Sequence, residues 1–213
     1  MYRGQHGMTS KTMDRVLLGA GTIHVGLELK SSSSGSDTSA FNFAESLLCA
    51  TSGGNSLEIK STLYDVPIDG VGVKVKGGVV KTGESGTLTV NALDLTPEIL
   101  SKALFMSMSN TQALSGYSIG HTGNEIKDEH WAKNLAYVGE TVENRKPIIV
   151  IFNYAICTSG AKIDGKSFEA SVLPLTFEAY RGYAENDRMT SLGISIYYPE
   201  MIDTVSAASL SEV

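Results

Sequence analysis

The sequence predicts a mainly β domain with one flanking α-helix. Glycine makes up 22 of the 213 residues and divides the chain into short segments. Several of these segments alternate apolar and polar side chains, which is the period-two pattern of half-buried strands. One stretch, residues 95–104, combines helix-capping residues with an apolar helical face.

Strands are predicted, in chain order, where this alternation is clear. Residues 57–64 alternate apolar or small side chains with charged or polar ones, and residues 71–76 alternate valine with glycine or lysine. The pair Asp69-Gly70 lies between these segments and suits a tight hairpin turn that needs a positive φ. The other strands predicted from alternation are residues 88–90 and 194–196.

Two later segments have different patterns. Residues 148–152 are apolar throughout, which predicts a central strand covered on both faces. Residues 168–172 alternate as a strand, and the apolar positions change face at Pro174. This change predicts a bulge in a strand that continues through residue 177.

The helix predicted over residues 95–104 has a complete set of start signals. Thr96 is suited to the N-cap, Pro97 fits the first turn, and the charge of Glu98 opposes the positive end of the helix dipole. A short helix is marginal alone, so we expect it to pack on a sheet. The predicted packing residues are Leu95, Ile99, Leu100 and Leu104. For residues 43–49, a helical turn and a strand both remain open.

The chain is predicted to form a single domain, residues 15–199. Residues 1–14 form an N-terminal arm in this interpretation, and residues 200–213 form a C-terminal tail. Two mobile loops are expected at about 31–40 and 107–124, where large apolar side chains are scarce.

Composition limits the classes of function. The net charge is -6 and the isoelectric point is about 5.2, so nothing indicates the basic face with which proteins grip nucleic acid. The two cysteines, Cys49 and Cys157, lack further ligands at metal-binding spacing and are expected to be buried free thiols. The N-terminal segment has no apolar signal-peptide region, and no apolar run approaches the ~20 residues that span a bilayer. We therefore expect no membrane association.

Residues 160–167, GAKIDGKS, match the phosphate-loop pattern GxxxxGK[ST]. A phosphate loop needs a helix directly after it, because the helix N-terminus helps to bind the phosphates. The following residues alternate as a strand and reach Pro174, so we interpret Asp164-Gly165 as a hairpin turn. The motif is not expected to bind a nucleotide.

Two other features resemble catalytic sites. GYSIG, residues 116–120, fits the nucleophile-elbow pattern, but it lacks the strand before and the helix after it that the elbow requires. A group of acidic and histidine side chains could hold a metal but has no recognised spacing; its members are His121, Glu125, Asp128, Glu129 and His130. The sequence therefore predicts no catalytic residue, no cofactor and no metal, and the chain is not expected to be an enzyme.

A longer segment carries a family resemblance. ATSGGNSLEIKSTLYDVPIDGVGVKVKGG, followed by TLTVNALDLTPEILSKAL, resembles the tail tube (major tail) proteins of long-tailed bacteriophages. The matching features are a Gly-Gly entry into a strand, the Asp69-Gly70 hairpin, the Lys76-Gly77 pair and a Thr-Pro-Glu helix start. The resemblance covers roughly residues 16–198 and is strongest over 50–104.

The resemblance implies a β-sandwich or partly closed barrel of two antiparallel sheets. It also implies that six copies form a ring, and that stacked rings form the channel through which the genome is delivered into the host. The implied partners are further copies of the chain, the tape-measure protein, and the tube initiator and terminator. Double-stranded DNA would pass through without specific binding, and the protein would be located in the virion tail after assembly in the host cytoplasm.

Candidate assembly residues follow from this interpretation. The serine-rich stretch could order on a neighbouring copy, and the single tryptophan could anchor an interface; the predicted assembly residues are Ser31, Ser34, Asp37, Ala40, Asp69, Gly70 and Trp131. Candidate charges on the channel wall are Glu58, Lys60 and Glu84, because an acidic wall would repel DNA phosphates.

One alternative function belongs to a different class. A monomeric β-sandwich binding module, such as a carbohydrate-binding or adhesin domain, would have a similar strand pattern. It would need a ligand groove lined by aromatic side chains, and the sequence shows no aromatic cluster.

Overall fold

The structure is a computed structural model that describes residues 12, 16–30, 40–109, 117, 119–142, 145–165, 167–168, 170–183 and 191–198. Within these residues the chain is mainly β, which confirms the predicted fold class. Besides the predicted helix, a four-residue helix answers the question left open for residues 43–49.

The strands are β1 Leu17–His24, β2 Leu29–Lys30, β3 Ala40–Phe41, β4 Ser56–Asp65, β5 Val79–Ala92, β6 Met106–Ser109, β7 Ile119–Thr122, β8 Ala132–Thr141, β9 Pro147–Cys157, β10 Leu173–Tyr180 and β11 Ser195–Tyr197. The helices are α1 Phe43–Ser46 and α2 Pro97–Leu104, with a 3-10 helix at Asp128–His130.

Seven strands form one antiparallel sheet in the order β1-β8-β9-β10-β5-β4, and β11 also pairs with β9. The sheet curls into a half-barrel. Across the open side of this half-barrel, between β1 and β4, the Asn55 side-chain amide donates to the Ala20 carbonyl at 3.1 Å and to the Gly21 carbonyl at 3.2 Å. Asn55 therefore ties the start of β4 to β1, the two strands at opposite ends of the sheet order. Two-stranded ribbons, β2-β3 and β6-β7, lie outside this sheet.

The core is divided between the two faces of β8 and β9. The larger cluster contains Phe152, Leu175 and Phe177 together with Ile99 of α2. A smaller cluster contains Leu27, Val138, Ile149 and Ile151, with Phe41 and Phe43 packed against it. Residues 149–152 are all buried, so the prediction of a central strand covered on both faces is confirmed.

Helix α2 begins as predicted. Thr96 is the N-cap, and its hydroxyl accepts a hydrogen bond from the Ile99 amide at 3.3 Å. Ile99 is fully buried in the core, whereas Leu95 is half exposed. Leu100 and Leu104 are partly buried, so the four predicted packing residues contribute unequally.

Three predicted segments differ from the structure. The strand predicted over residues 71–76 is wrong: residues 66–78 form a loop, because turns at Ile68–Val71 and Val75–Gly78 follow each other and no partner strand is in register. Asp69-Gly70 does form a turn, with φ +80° at Gly70, but it lies inside this long loop. The predicted mobile loop 107–124 contains paired residues, since β6 and β7 form a ribbon there.

The prediction for residues 168–177 is partly wrong. Residue 168 and residues 170–172 are not in a strand, and Asp164-Gly165 lies in the long β9–β10 loop rather than in a tight hairpin. Pairing runs without a bulge from Leu173 through Pro174, which faces Asn91 of β5. Pro174 is tolerated because β10 pairs with β9 only from Phe177 onwards, so its other side lacks a partner strand at this point.

Candidate assembly surfaces

The outer edge of β4 is the longest unpaired strand edge in the described part of the chain. β4 pairs with β5 along all ten residues on one side, and no described strand pairs with its other side. At the opposite end of the sheet, β1 is partly covered, because the Leu48 amide donates to the Ile23 carbonyl at 2.9 Å. Unpaired backbone groups on a long edge are a template for pairing with another chain.

The distal part of the β4–β5 hairpin, residues 63–80, is named the hairpin arm. Its apolar side chains are exposed, and these are Leu63, Tyr64, Val66, Ile68, Val71, Val73, Val75, Val79 and Val80. The loop at its tip encloses a groove of about 350 Å³, lined mainly by valine, isoleucine and proline side chains. At the groove, the Lys74 ammonium pairs with the Asp65 carboxylate, and this hydrogen bond raises the pKa of Lys74. The predicted assembly residues Asp69 and Gly70 lie in this loop.

The register of β4 and β5 separates the three candidate channel-wall charges. Lys60 faces Ser85 and Glu58 faces Thr87, whereas Glu84 faces Ser61. Because neighbouring residues of a strand point to opposite faces, Glu58 and Lys60 share one face and Glu84 lies on the other. The three side chains therefore cannot line the same surface of the sheet.

Glu84 holds a later segment of the chain. Its carboxylate accepts hydrogen bonds from the Leu192 amide at 2.8 Å and the Ser191 hydroxyl at 3.1 Å, and it pairs with the Lys81 ammonium at 2.8 Å. The Lys81 hydrogen bond, followed by the one from the Leu192 amide, lowers the pKa of Glu84. Next to it, a Cβ at Gly86 would meet Phe152 and Ala179 at 3.1 Å. Segment 191–194 is thus fixed tightly onto the core face of the sheet.

Glu58 and Lys60 are on the opposite, solvent-exposed face. Their side chains pair with each other at 2.8 Å. Glu178 of β10 also lies on this face, because it faces Thr87, the residue that Glu58 faces from the other side. Thr89 and Thr176 also lie on this face.

Trp131 is half-buried and meets Tyr180 edge to face, with ring centroids 5.3 Å apart. Tyr180 is paired with Tyr154 across β9 and β10. Sequence reasoning missed this aromatic cluster because its members are far apart in the chain and meet only through the strand register. Among the other predicted assembly residues, Ser31, Ser34 and Asp37 lie outside the described residues, and Ala40 begins β3.

The described residues of the segments that resemble catalytic sites do not form the strands and helices that those sites require. In the described residues of GAKIDGKS and of the loop that leads from it to β10, no helix begins, and Gly120 of GYSIG lies inside strand β7. Across the described part of the chain, no group of three or more histidine, cysteine or acidic side chains could hold a metal. His121 is exposed on β7, whereas His130 is fully buried.

His130 and Lys102 are buried polar groups near the end of α2. The His130 Nδ1 accepts from the Lys127 amide at 3.0 Å, while Nε2 has no hydrogen-bond partner among the described residues and lies 3.6 Å from the Glu129 carboxylate. Burial lowers the pKa of Lys102, an effect that the charge of Glu98 partly offsets. The Lys102 ammonium is 3.5 Å from the Glu129 carbonyl.

Both cysteines are buried free thiols, as predicted. Burial, with a smaller effect from the charge of Asp94, raises the pKa of Cys49 to about 11. No helix in the described part of the chain has the length and apolar character needed to cross a bilayer. No protein-family model matches the chain, and no curated protein sequence matches it.

Proposed function

We propose that the chain is a structural subunit of a phage tail tube, which assembles as stacked hexameric rings around a channel for genome delivery. The observation that carries this proposal is the unpaired edge of β4, which continues into an arm of exposed apolar side chains. A monomer leaves such an edge open to aggregation, whereas a ring removes the edge by pairing it with the neighbouring subunit.

The other partners in this proposal follow from the same role. They are the tape-measure protein and the tube initiator and terminator. In this role the protein has no catalytic residue and needs no cofactor. It is located in the tail of the virion after assembly in the host cytoplasm.

The test is negative-stain electron microscopy of the purified full chain, with sedimentation velocity over a wide range of concentration. We expect rings or hollow tubes with six-fold end views. Thr62→Lys adds a charge to the exposed β4 edge and should suppress assembly, while Thr62→Ser should not. A wild-type chain that remains monomeric with an added tube initiator would contradict the proposal.

The exposed face with Glu58, Lys60 and Glu178 is the part of the sheet that we assign to the channel wall. Glu58 and Lys60 neutralise each other, so the face keeps a slight negative charge and should not retain DNA. We expect no binding of a labelled duplex in fluorescence anisotropy at low salt. Glu58→Lys with Glu178→Lys should create salt-sensitive binding, and tight binding by the wild type would refute this assignment.

The edge-to-face contact between Trp131 and Tyr180 favours a second candidate, a monomeric binding module for carbohydrates. Aromatic rings are common in the ligand sites of proteins. This candidate predicts a monomer at every concentration and a change in the fluorescence of Trp131, the single tryptophan, on addition of an oligosaccharide. The apolar groove lies in the hairpin arm, formed by other residues, so the tail-tube proposal accounts for more of the exposed surface.

A further inference from the structure

Phe168 is a fully exposed aromatic side chain in the loop between β9 and β10. Its relative exposure is 108%, and its φ is +65°, in the left-handed region that bulky residues rarely adopt. Burying a phenylalanine side chain is worth roughly 1.5–3 kcal/mol. An exposed ring on a strained backbone indicates a contact that forms with another molecule.

The hairpin arm has a receiving surface of matching chemistry. Its groove of about 350 Å³ is lined by apolar side chains, including Val66, Ile68 and Val73. A closed apolar cavity of about 150 Å³ is enough to bind benzene, so the volume of this groove is sufficient for a phenyl ring. The arm presents nine exposed apolar side chains beside this groove, and contiguous apolar patches of this kind mark protein–protein contacts.

The phenylalanine and the groove are at opposite ends of the sheet. β5 runs from Val79, beside the arm, to Ala92, which pairs with Leu173. Its 14 residues span roughly 45 Å. Phe168 is five residues before Leu173, so it lies within roughly 18 Å of the Ala92 end of β5. Phe168 therefore cannot reach the groove of its own chain.

We propose that Phe168 of one copy inserts into the hairpin-arm groove of a second copy, as a head-to-tail contact along the strand direction. The two surfaces differ, so each copy uses its phenylalanine on one neighbour and its groove on another. Such a contact repeats without closing on itself and builds a stack. This inference rests on the proposed assembly function and assigns the residues that connect successive layers.

The charges beside both surfaces are compatible with this contact. The Lys74–Asp65 pair flanks the groove, and Lys162 pairs with Asp164 at 2.8 Å in the Phe168 loop. Each loop thus neutralises these charges internally, and the two loops should not repel each other. Because the contact is apolar, raised salt should leave it intact, whereas a contact made of ion pairs would weaken.

Disulfide crosslinking of the full chain tests the geometry. In the double variant Phe168→Cys with Val73→Cys, oxidation should give a ladder of dimers, trimers and longer species on a non-reducing gel. A mixture of the two single variants should stop at dimers, because each chain then carries one half of the contact. The native cysteines are buried, so the wild type should give no ladder.

Two matched variants provide further controls. Phe168→Cys with Leu18→Cys pairs the same loop with an exposed apolar residue of β1, and it should give no ladder. Phe168→Ser should raise the concentration needed for assembly at least tenfold. Ile163→Ser, which changes another exposed apolar residue of the same loop, should raise it less than twofold. The substituted positions 18, 73, 163 and 168 are all exposed. The Tm of each variant should therefore remain close to that of the wild type.

The outcomes separate this inference from the proposed function. Rings or tubes that form without crosslinks between positions 73 and 168 would overturn the inference and leave the tail-tube proposal standing. A ladder without six-fold rings would support the contact and contradict the tail-tube proposal. Rapid covalent dimers of the single variant Phe168→Cys would show a symmetric contact and would also overturn the inference.

Discussion

Replacement of Glu84 by glutamine tests whether this carboxylate fixes the C-terminal segment to the sheet. The side chain is only 12% exposed and accepts hydrogen bonds from the Leu192 amide and the Ser191 hydroxyl. Hydrogen bonds to a charged group contribute about 1.5–3 kcal/mol, and the glutamine amide retains part of this as a neutral acceptor. We expect Glu84→Gln to lower the free energy of unfolding by about 1–2 kcal/mol.

Thermal unfolding followed by circular dichroism measures this effect. For a chain of this length, a loss of about 1–2 kcal/mol lowers Tm by roughly 3–6 °C. Glu58→Gln is the matched control, because Glu58 is exposed and makes a surface ion pair with Lys60. Exposed pairs contribute about 0–1 kcal/mol, so this control should change Tm by less than about 3 °C.

The pH dependence adds an independent check on Glu84. Its pKa is lowered from the ordinary value of 4.5, so the folded state binds its proton less tightly than the unfolded state does. The stabilisation is therefore present above that value and is lost as pH falls through the folded pKa. The difference between the wild type and Glu84→Gln should be constant from about pH 6 to 8 and shrink below about pH 4.5. A difference under about 0.3 kcal/mol at pH 7, or one that persists unchanged at pH 3, would refute the reasoning.

Three further predictions concern buried polar groups and a helix cap. Burial lowers the pKa of His24 from 6.5, so the free energy of unfolding should fall as pH decreases below about 6.5. His24→Gln should weaken this pH dependence. The prediction is wrong if the free energy of unfolding falls equally steeply with pH in the wild type and the variant. Lys102→Met removes a desolvated ammonium and should leave Tm unchanged or raise it. A loss of more than about 3 kcal/mol in the free energy of unfolding would contradict this, because it would show that the contacts of the ammonium outweigh its desolvation. Thr96→Ala should cost about 1 kcal/mol in denaturant unfolding, and Thr96→Ser should cost less; equal losses would exclude the cap.

The parts of the fold that sequence predicted well are those governed by local chemistry. Thr96 and the proline after it define the start of α2 through interactions within a single turn. The apolar run 148–152 reports burial on both faces, and the structure places it between neighbouring strands with a core cluster on each side. Such signals need no knowledge of the rest of the chain.

The segment at residues 71–76 shows where local pattern is insufficient. Alternation reports that a segment could form a half-buried strand, but a strand also needs a partner in register. Here Asp65 already pairs with Val79, so the intervening residues lie beyond the last pair of the hairpin and turn twice. Their valines are exposed for the same reason, and alternation within the segment cannot reveal this.

The candidate sites depend even more than segment 71–76 on contacts between residues that are far apart in the sequence. The contact of Trp131 with Tyr180 requires the β8–β9–β10 register, and the contact of Glu84 with Leu192 joins residues 108 positions apart. Sequence could identify Trp131 and Glu84 as candidates but could not supply their partners. The signal for Phe168 was also misleading, because its alternation with neighbours predicted a strand where the structure has an exposed loop.

The register of β4 gives the sheet two different roles on its two faces. The core face carries Glu84 and contacts segment 191–194. The Glu84 carboxylate is therefore already bound within the chain. The opposite face carries the Glu58–Lys60 pair and hydroxyl groups, with no described segment fixed across it by these residues. A continuous ring of sheets would expose that second face along its whole circumference while burying the β4 edge. The same strand would then supply both the joint between neighbours and a weakly charged surface past which DNA can move without being held.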